Sequence, residues 1–554
     1  MIGLVFRYFR IYALLVALAF LAHSCAQQVA PTGGEKDITP PRILSSSPQS
    51  ESVNMQNDKI VLEFDEYVAL KSASQELIVS PPLKYPVQFK MKNKKLTLSW
   101  KDTLAENATY LFQFGEGIVD VNEGNPLDSN VFVFSTGPYI DSFEISGSVI
   151  DAFDLKPAKD IWVMLYTENI DSLPLTELPR YFAKTDDRGK FHLQYLAKGD
   201  YKLFCLETMN GGYLYDVPGE AIGFIDGMIA STTPGDTVTQ DSSYTIRLFM
   251  EEDSTQFVKE FKQLTNKGLM FQFNRTVTEI TITELTNNEN VPKWTENWSQ
   301  AHDSVVYWFA KPNDYDSLRV EIKADDFIDT IFFRKPVERK SKAKRGGAKA
   351  DESGFKLKMR SKGVHDFYKA LNIDSKMPIK EVNNVEQFVF VEGEDTLDVT
   401  PYLKREFYNI RIEYPWKEGM KYKLLIPDSL VFSQFGETQD TLVFGFTTTR
   451  KEDYGQLNIK RQLPDLGHGY IWQLLGKDDV LIDEQFVSSV GEIDYDYLPT
   501  GEYHVRVFFD VNDNEIWDTG YYKGKRQPER TTYYDQKIEI RSNWATELEW
   551  ILVD

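Results

Sequence analysis

The sequence predicts an all-β chain of tandem β-sandwich domains, and three observations carry that expectation. Aromatic residues make up 14% of the chain, with 36 Phe, 29 Tyr and 10 Trp, and such side chains pack well on pleated faces. Short alternating runs follow one another, among them Ile60-Val61-Leu62-Glu63-Phe64, Lys95-Leu96-Thr97-Leu98-Ser99-Trp100 and Asn130-Val131-Phe132-Val133-Phe134. Their period of two and their Gly, Pro, Asn and Asp punctuation are those of strands joined by tight turns. The third observation is an internal repeat. Tyr110 to Thr136 aligns without gaps on Tyr422 to Thr448, and Tyr195 to Tyr201 aligns on Tyr497 to Tyr503. A pair of modules therefore occurs twice. The length of 554 residues accommodates roughly four domains by itself.

The N-terminus has a different character. Arg7 and Arg10 precede an uncharged apolar run from Ile11 to Ala22. The run is too short for a membrane span of about 20 residues and reads as the core of a signal peptide over 1–24. It ends in Leu21-Ala22-His23-Ser24-Cys25, which resembles the lipobox of bacterial lipoproteins. The resemblance implies that Cys25 becomes the acylated first residue of the mature chain, with palmitate-type anchoring to the outer membrane. Leu21 stands one position early and His23 departs from the usual pattern. Residues 25–38 then read as a lipid-anchored tether. No acidic cluster follows Cys25, which leans toward the periplasmic rather than the surface face without fixing it.

Residues 39–138 carry a family resemblance. Thr39-Pro40-Pro41, Ser47-Pro48, Phe64-Asp65-Glu66-Tyr67-Val68 and Phe134-Ser135-Thr136 resemble the bacterial Ig-like domain named after an S-layer protein. That resemblance implies an immunoglobulin-type sandwich. Residues 354–451 resemble a divergent second copy that lacks the Phe-Asp-Glu motif and keeps the C-terminal half. Residues 139–252 and 452–554 are each similar to the transthyretin-like or carboxypeptidase-regulatory-like sandwich. A β-rich middle domain, 253–335, echoes the first in Leu269 to Val277. A basic run from Arg334 to Lys349 is expected as a linker or loop over 336–353, with contact to anionic headgroups as the functional alternative. The whole chain resembles an Ig-like domain lipoprotein of the Bacteroidota. Family membership implies an envelope location and no enzymatic activity.

Composition narrows the function classes. There are 84 acids against 62 Lys and Arg, a net charge of −22, so phosphate backbones repel the chain and no nucleic-acid partner is expected. Cys25 and Cys205 are its two cysteines, too few for a disulfide framework or a thiolate metal site. Cys205 sits in an apolar strand and reads as an inert core thiol. Neither a Gly-x-Ser-x-Gly elbow nor a His-Glu-x-x-His zinc motif occurs, and no phosphate-cradling loop is present.

Two candidate sites remain, both near the C-terminus. Asp510, Asn512, Asn514, Ile516 (through its carbonyl) and Asp518 place oxygens at the spacing of a Ca²⁺ loop, although Glu515 stands where glycine is usual. The competing reading is a polar hairpin loop. Apart from this candidate Ca²⁺, no cofactor is expected. Trp517, Tyr521 and Trp544 are candidate binding aromatics for a sugar or a protein hot spot, against the reading that they pack within the last sandwich. Asp-Ser/Thr-apolar triplets such as Asp102-Thr103-Leu104 and Asp329-Thr330-Ile331 resemble an O-glycosylation signal. The expected molecule holds its loops out along a rod. Its expected role is a binding or scaffold subunit accessory to an outer-membrane protein complex, with envelope-polysaccharide binding as the alternative.

Overall fold

The computed structural model describes residues 37–128, 131–233, 244–252, 255–264, 266–285, 294–312, 317–334 and 355–552. The expected leader, Cys25, most of the tether and the basic run beyond Arg334 lie outside the described residues. Within them the regular secondary structure is nearly all strand, and no helix is long and apolar enough to cross a membrane.

Three sandwiches share one pattern of strand pairing. In the first, Ile43–Ser47, Lys59–Phe64, Lys95–Ser99 and Gln88–Lys92 form one sheet in that order, and Ile78–Ser80, Thr109–Gln113 and Val131–Ser135 form the facing one. Ile60, Leu62, Phe64, Leu96, Leu98, Phe112 and Phe134 alternate inward and are essentially fully buried between them. The sandwich at 355–448 repeats the order with Leu357–Met359, Leu371–Ser375, Asn409–Ile412 and Leu403–Arg405. Both of its halves are therefore built, although only the second half is recognisable in sequence. The middle segment pairs Val258–Leu264, Gly268–Phe273, Ser304–Phe309 and Trp294–Trp298, with Ile280–Glu284, Ser317–Ala324 and Phe327–Arg334 facing them. Leu269, Phe271 and Phe273 take the core places that Ile60, Leu62 and Phe64 hold in the first sandwich.

The repeated residues have identifiable duties. Tyr110 and Tyr422 each turn a hydroxyl back to accept a backbone N–H five residues upstream, from Ala105 at 2.8 Å and Lys417 at 2.9 Å. Thr136 and Thr448 each accept from the chain and donate back to it, through Ala108 and Ala105 in one copy and Met420 and Lys417 in the other. These are corner pins of the kind an Ig-type sandwich uses to fix a strand crossing.

The other module also occurs twice. Its first copy has β1 (Phe143–Asp151), β2 (Trp162–Tyr166), β3 (Tyr181–Lys184), β4 (Lys190–Leu196), β5 (Asp200–Glu207), β6 (Ala221–Phe224), β7 (Ile229–Ala230) and β8 (Tyr244–Met250). Its second has β9 (Tyr454–Gln462), β10 (Gly469–Leu475), β11 (Leu481–Val487), β12 (Val490–Pro499), β13 (Gly501–Asp510), β14 (Thr531–Tyr533), β15 (Ile538–Ile540) and β16 (Ala545–Ile551). Strands correspond one to one. β3-β2-β5-β6 matches β11-β10-β13-β14, and the parallel pair β1/β8 matches β9/β16. Tyr201 and Tyr503 each donate to the carbonyl four residues upstream, Ala197 at 2.6 Å and Pro499 at 2.8 Å.

The modules do not simply follow one another along a rod. The last sandwich returns to the second, and the two bury a shared apolar cluster that includes Trp162, Phe204, Phe249 and Tyr522. The reason lies in the outer face of β2 and β5. It is apolar, and solvent exposure would cost its full transfer free energy.

Candidate functional site

The loop from β13 to β14, residues 511–530, together with its root Asp510, carries the candidate cation residues and two of the three candidate aromatics, Trp517 and Tyr521. Its root is Asp510, which is fully buried and accepts the backbone N–H groups of Asn514 (3.1 Å) and Glu515 (2.7 Å). The side-chain amides of Asn512 and Asn514 both donate to Asp518 Oδ2, at 2.7 and 3.0 Å. Their carbonyl oxygens accept backbone N–H groups of Asn514 and Ile516. The four side chains with oxygens, Asp510, Asn512, Asn514 and Asp518, thus engage their own loop rather than one centre, and the Ile516 side chain points to solvent. Glu515 takes a φ of 63°, the left-handed conformation for which a Ca²⁺ loop normally uses glycine. Among the described residues no group of three or more His, Cys, Asp or Glu is placed to hold a metal ion.

A residue not singled out from sequence holds the loop closed. Glu529 is buried and accepts the N–H of Val511 at 2.8 Å and of Asp518 at 3.0 Å, one on each carboxylate oxygen. Burial pushes its pKa above the ordinary carboxylate value, against those hydrogen bonds and with help from the charges of Asp518 and Asp510. The first copy has the same device. Glu220, also buried, accepts from Met209 N–H (2.9 Å) and the Thr208 hydroxyl (3.1 Å) on one oxygen, and from Asp216 and Val217 N–H on the other. Each acid stands just before the strand that closes its loop. Only the alignment of the two copies would have drawn it from a sequence with so many acids.

The closed loop is a clasp on the first module. Tyr522 inserts into the apolar cluster, packs edge-on against Phe204 and Tyr215, and donates its hydroxyl to Asp171 O. Its backbone N–H donates to Glu251 at 2.5 Å. Thr519 donates to Met250 O at 2.7 Å, and Gln527 to Phe224 O at 3.0 Å. Gly520 lies against the Phe249 ring, where a Cβ would come within 2.4 Å. Lys525 and Lys202 both pair with Asp171 and hold its carboxyl below the usual range.

The first module reciprocates. Phe153 reaches over β13, with its ring 4.2 Å from the Arg506 guanidinium and 5.2 Å from the Phe508 ring. Gln473 Oε1 accepts from Arg506 Nε and Nη2 at 2.8 and 2.6 Å, which fixes the guanidinium plane for that stack. Thr531 donates to Ala152 O at 2.8 Å, and Lys156 pairs with Asp479 at 2.6 Å.

The three candidate aromatics are separated by this arrangement. Trp517 belongs to the clasp: its indole donates to Glu529 O at 3.1 Å and its ring meets Phe153 edge-on. Tyr521 is partly exposed and folds over Gly524. Trp544, at 66% exposure, lies at the turn before β16, and no ring contact joins it to either of the others among the described residues. A clustered sugar platform from Trp517, Tyr521 and Trp544 is not formed, because Trp517 is taken up in packing. Cys205 is fully buried and burial pushes its thiol pKa up, as for a core residue. Several hydroxyls of the Asp-Ser/Thr triplets, such as Thr103, Thr330 and Thr396, are exposed.

Comparison with known proteins identifies the first sandwich. Residues 37–136 match the family model of a bacterial Ig-like domain. No curated protein matches the sequence. Among solved structures, the N-terminal part of the bacterial S-layer protein SbsC is 14% identical, with a TM-score of 0.14. That match covers 39% of this chain and 45% of the SbsC fragment. SbsC domains 1–6 are 10% identical over 90% of this chain and 67% of that one, with a TM-score of 0.14. A titin tandem, I9–I11, is 7% identical over 52% and 95%, with a TM-score of 0.11.

Proposed function

We propose that this chain is a non-enzymatic binding or scaffold lipoprotein, anchored through Cys25 to the outer membrane and accessory to an outer-membrane protein complex. One observation carries the reading: the longest polar loop of the last module is spent on clasping another sandwich. Glu529, Asp510 and Asp518 accept loop hydrogen bonds, Tyr522 is buried against the first module, and Trp517 packs half-buried beside it. Such a clasp makes a shaped body that presents edges and surfaces, which suits recognition better than turnover.

The test is a tagged pull-down from outer membranes in mild detergent, with Cys25→Ala as the unanchored control. Stoichiometric recovery of a β-barrel protein with the anchored chain is the expected result. Recovery of the chain alone would overturn the reading. The polysaccharide alternative now rests on Trp544 and Tyr521; it requires that Trp544→Ala weaken glycan retention.

A further inference from the structure

The two copies of the eight-stranded module differ at one sheet edge. In the first, β3 is the edge strand, and the chain covers it with its own Ig-like sandwich. Ser80 Oγ accepts the backbone N–H of Phe182 at 3.3 Å, and Ile78 is buried in the same cluster as Phe182. In the second copy the corresponding edge is β11. Among the described residues it pairs with β10 and receives no hydrogen bond from another sandwich. Leu481, Ile482 and Phe486 are 50%, 47% and 44% exposed, with Val480 and Val490 exposed at the strand's two ends. An open apolar edge of this kind is a template for strand addition.

We propose that the outer edge of β11 accepts an extended segment of a partner protein in which apolar residues alternate with Lys or Arg. The inference rests on the binding-subunit reading and names its surface. Apolar alternation follows from the covered copy, where Ile78 fills the place beside the edge. Basic residues follow from charge. From 478 to 487 the strand and its entry turn carry four acids and neither Lys nor Arg, and of these Lys156 pairs with Asp479 alone. Opposite charges across paired strands stabilise, and like charges oppose pairing. The same charges disfavour a second copy as occupant. Two β11 strands paired antiparallel about their midpoint would set Glu484 against its own counterpart.

The probe is a fluorescent acetylated peptide, Thr-Lys-Ile-Lys-Val-Lys-Ile-Thr, with Glu replacing each Lys as its control. Binding is read by anisotropy on the detergent-extracted full chain at low salt. The Lys peptide is expected to bind about tenfold more tightly than the Glu peptide. Glu484→Lys should abolish most of that preference, and Ile482→Lys should weaken the Lys peptide by about tenfold. Equal binding of both peptides, or binding unchanged by either substitution, would overturn the proposal. A dimer of the chain that Ile482→Lys dissociates would also overturn it, in favour of a second copy. The membrane pull-down separates the two claims. A barrel protein recovered equally with wild type and Ile482→Lys rejects the edge and keeps the binding-subunit reading, whereas no barrel with wild type rejects that reading itself.

Discussion

The second and fifth sandwiches are built on one eight-strand plan and differ in what their outer faces carry. On the first of the pair, Trp162 stands opposite Leu206 and Met164 opposite Phe204. On the other, Ile471 stands opposite Phe508 and Gln473 opposite Arg506. At the repeat offset of 302, Phe204 corresponds to Arg506. The apolar face is covered by a loop that brings Tyr522 and Gly520. The mixed face is met by Phe153, stacked on a guanidinium that Gln473 holds flat, with Trp517 beside it on Phe508. Strand register specifies the scaffold, and the outward residues of two strands specify the neighbour.

That comparison can be broken most severely at Tyr522. Tyr522→Ala removes a buried ring from the shared cluster and should cost about 3–5 kcal/mol, by the large-to-small rule for aromatics. Calorimetry should then show the fifth sandwich unfolding separately from the second. Gly520→Ala presses a methyl group into Phe249 and should cost roughly 1–3 kcal/mol by overpacking, read as a lowered transition of the same pair. Tyr201→Phe and Tyr503→Phe each delete one corner hydrogen bond while keeping the ring. Each should cost about 1 kcal/mol in denaturant titrations, and similar values would show that the two copies use the pin alike.

The smallest effect concerns charge. The carboxyl of Asp171 is lowered by hydrogen bonds from Lys525 and Lys202, and that of Asp479 by the one from Lys156. A depressed folded-state value stabilises the junction above the ordinary carboxylate range, and the contribution is lost as pH falls through the lowered value. Asp171→Asn should therefore flatten the acid limb of the stability profile below the ordinary carboxylate range, by roughly 0.5 kcal/mol after solvent screening. Glu529 titrates in the opposite sense. Its raised value favours the clasp below the ordinary carboxylate range and withdraws that contribution as pH rises through the raised value.

Much of the fold was legible because period-two alternation reports half-buried strands directly. Ile60, Leu62 and Phe64 are spaced as they pack. The repeat was legible through Tyr110/Tyr422, Thr136/Thr448 and Tyr201/Tyr503, residues whose hydroxyls pin corners and so tolerate little change. The N-terminal half of the 355–448 sandwich was not legible. Its Phe-Asp-Glu motif serves a local latch in the first copy, where Asp65 accepts the N–H of Arg42, and a different loop dispenses with it. The candidate site was read less well. Spacing alone placed Asp510, Asn512, Asn514 and Asp518 on a ligand pattern, but each side chain is engaged by hydrogen bonds within the closed loop. Trp517 and Trp544 are both tryptophans near the C-terminus, and only tertiary packing makes one a half-buried clasp residue and the other exposed.

The account's central claim is that the second and fifth sandwiches clasp each other within one chain. Zero-length carbodiimide crosslinking followed by peptide mass spectrometry tests it most directly, since Lys156 Nζ lies 2.6 Å from Asp479 and Lys525 pairs with Asp171. The account predicts both crosslinks in the monomeric fraction and their loss in Tyr522→Ala. A monomer in which neither crosslink forms, while neighbouring pairs such as Lys159–Asp187 do, would contradict it.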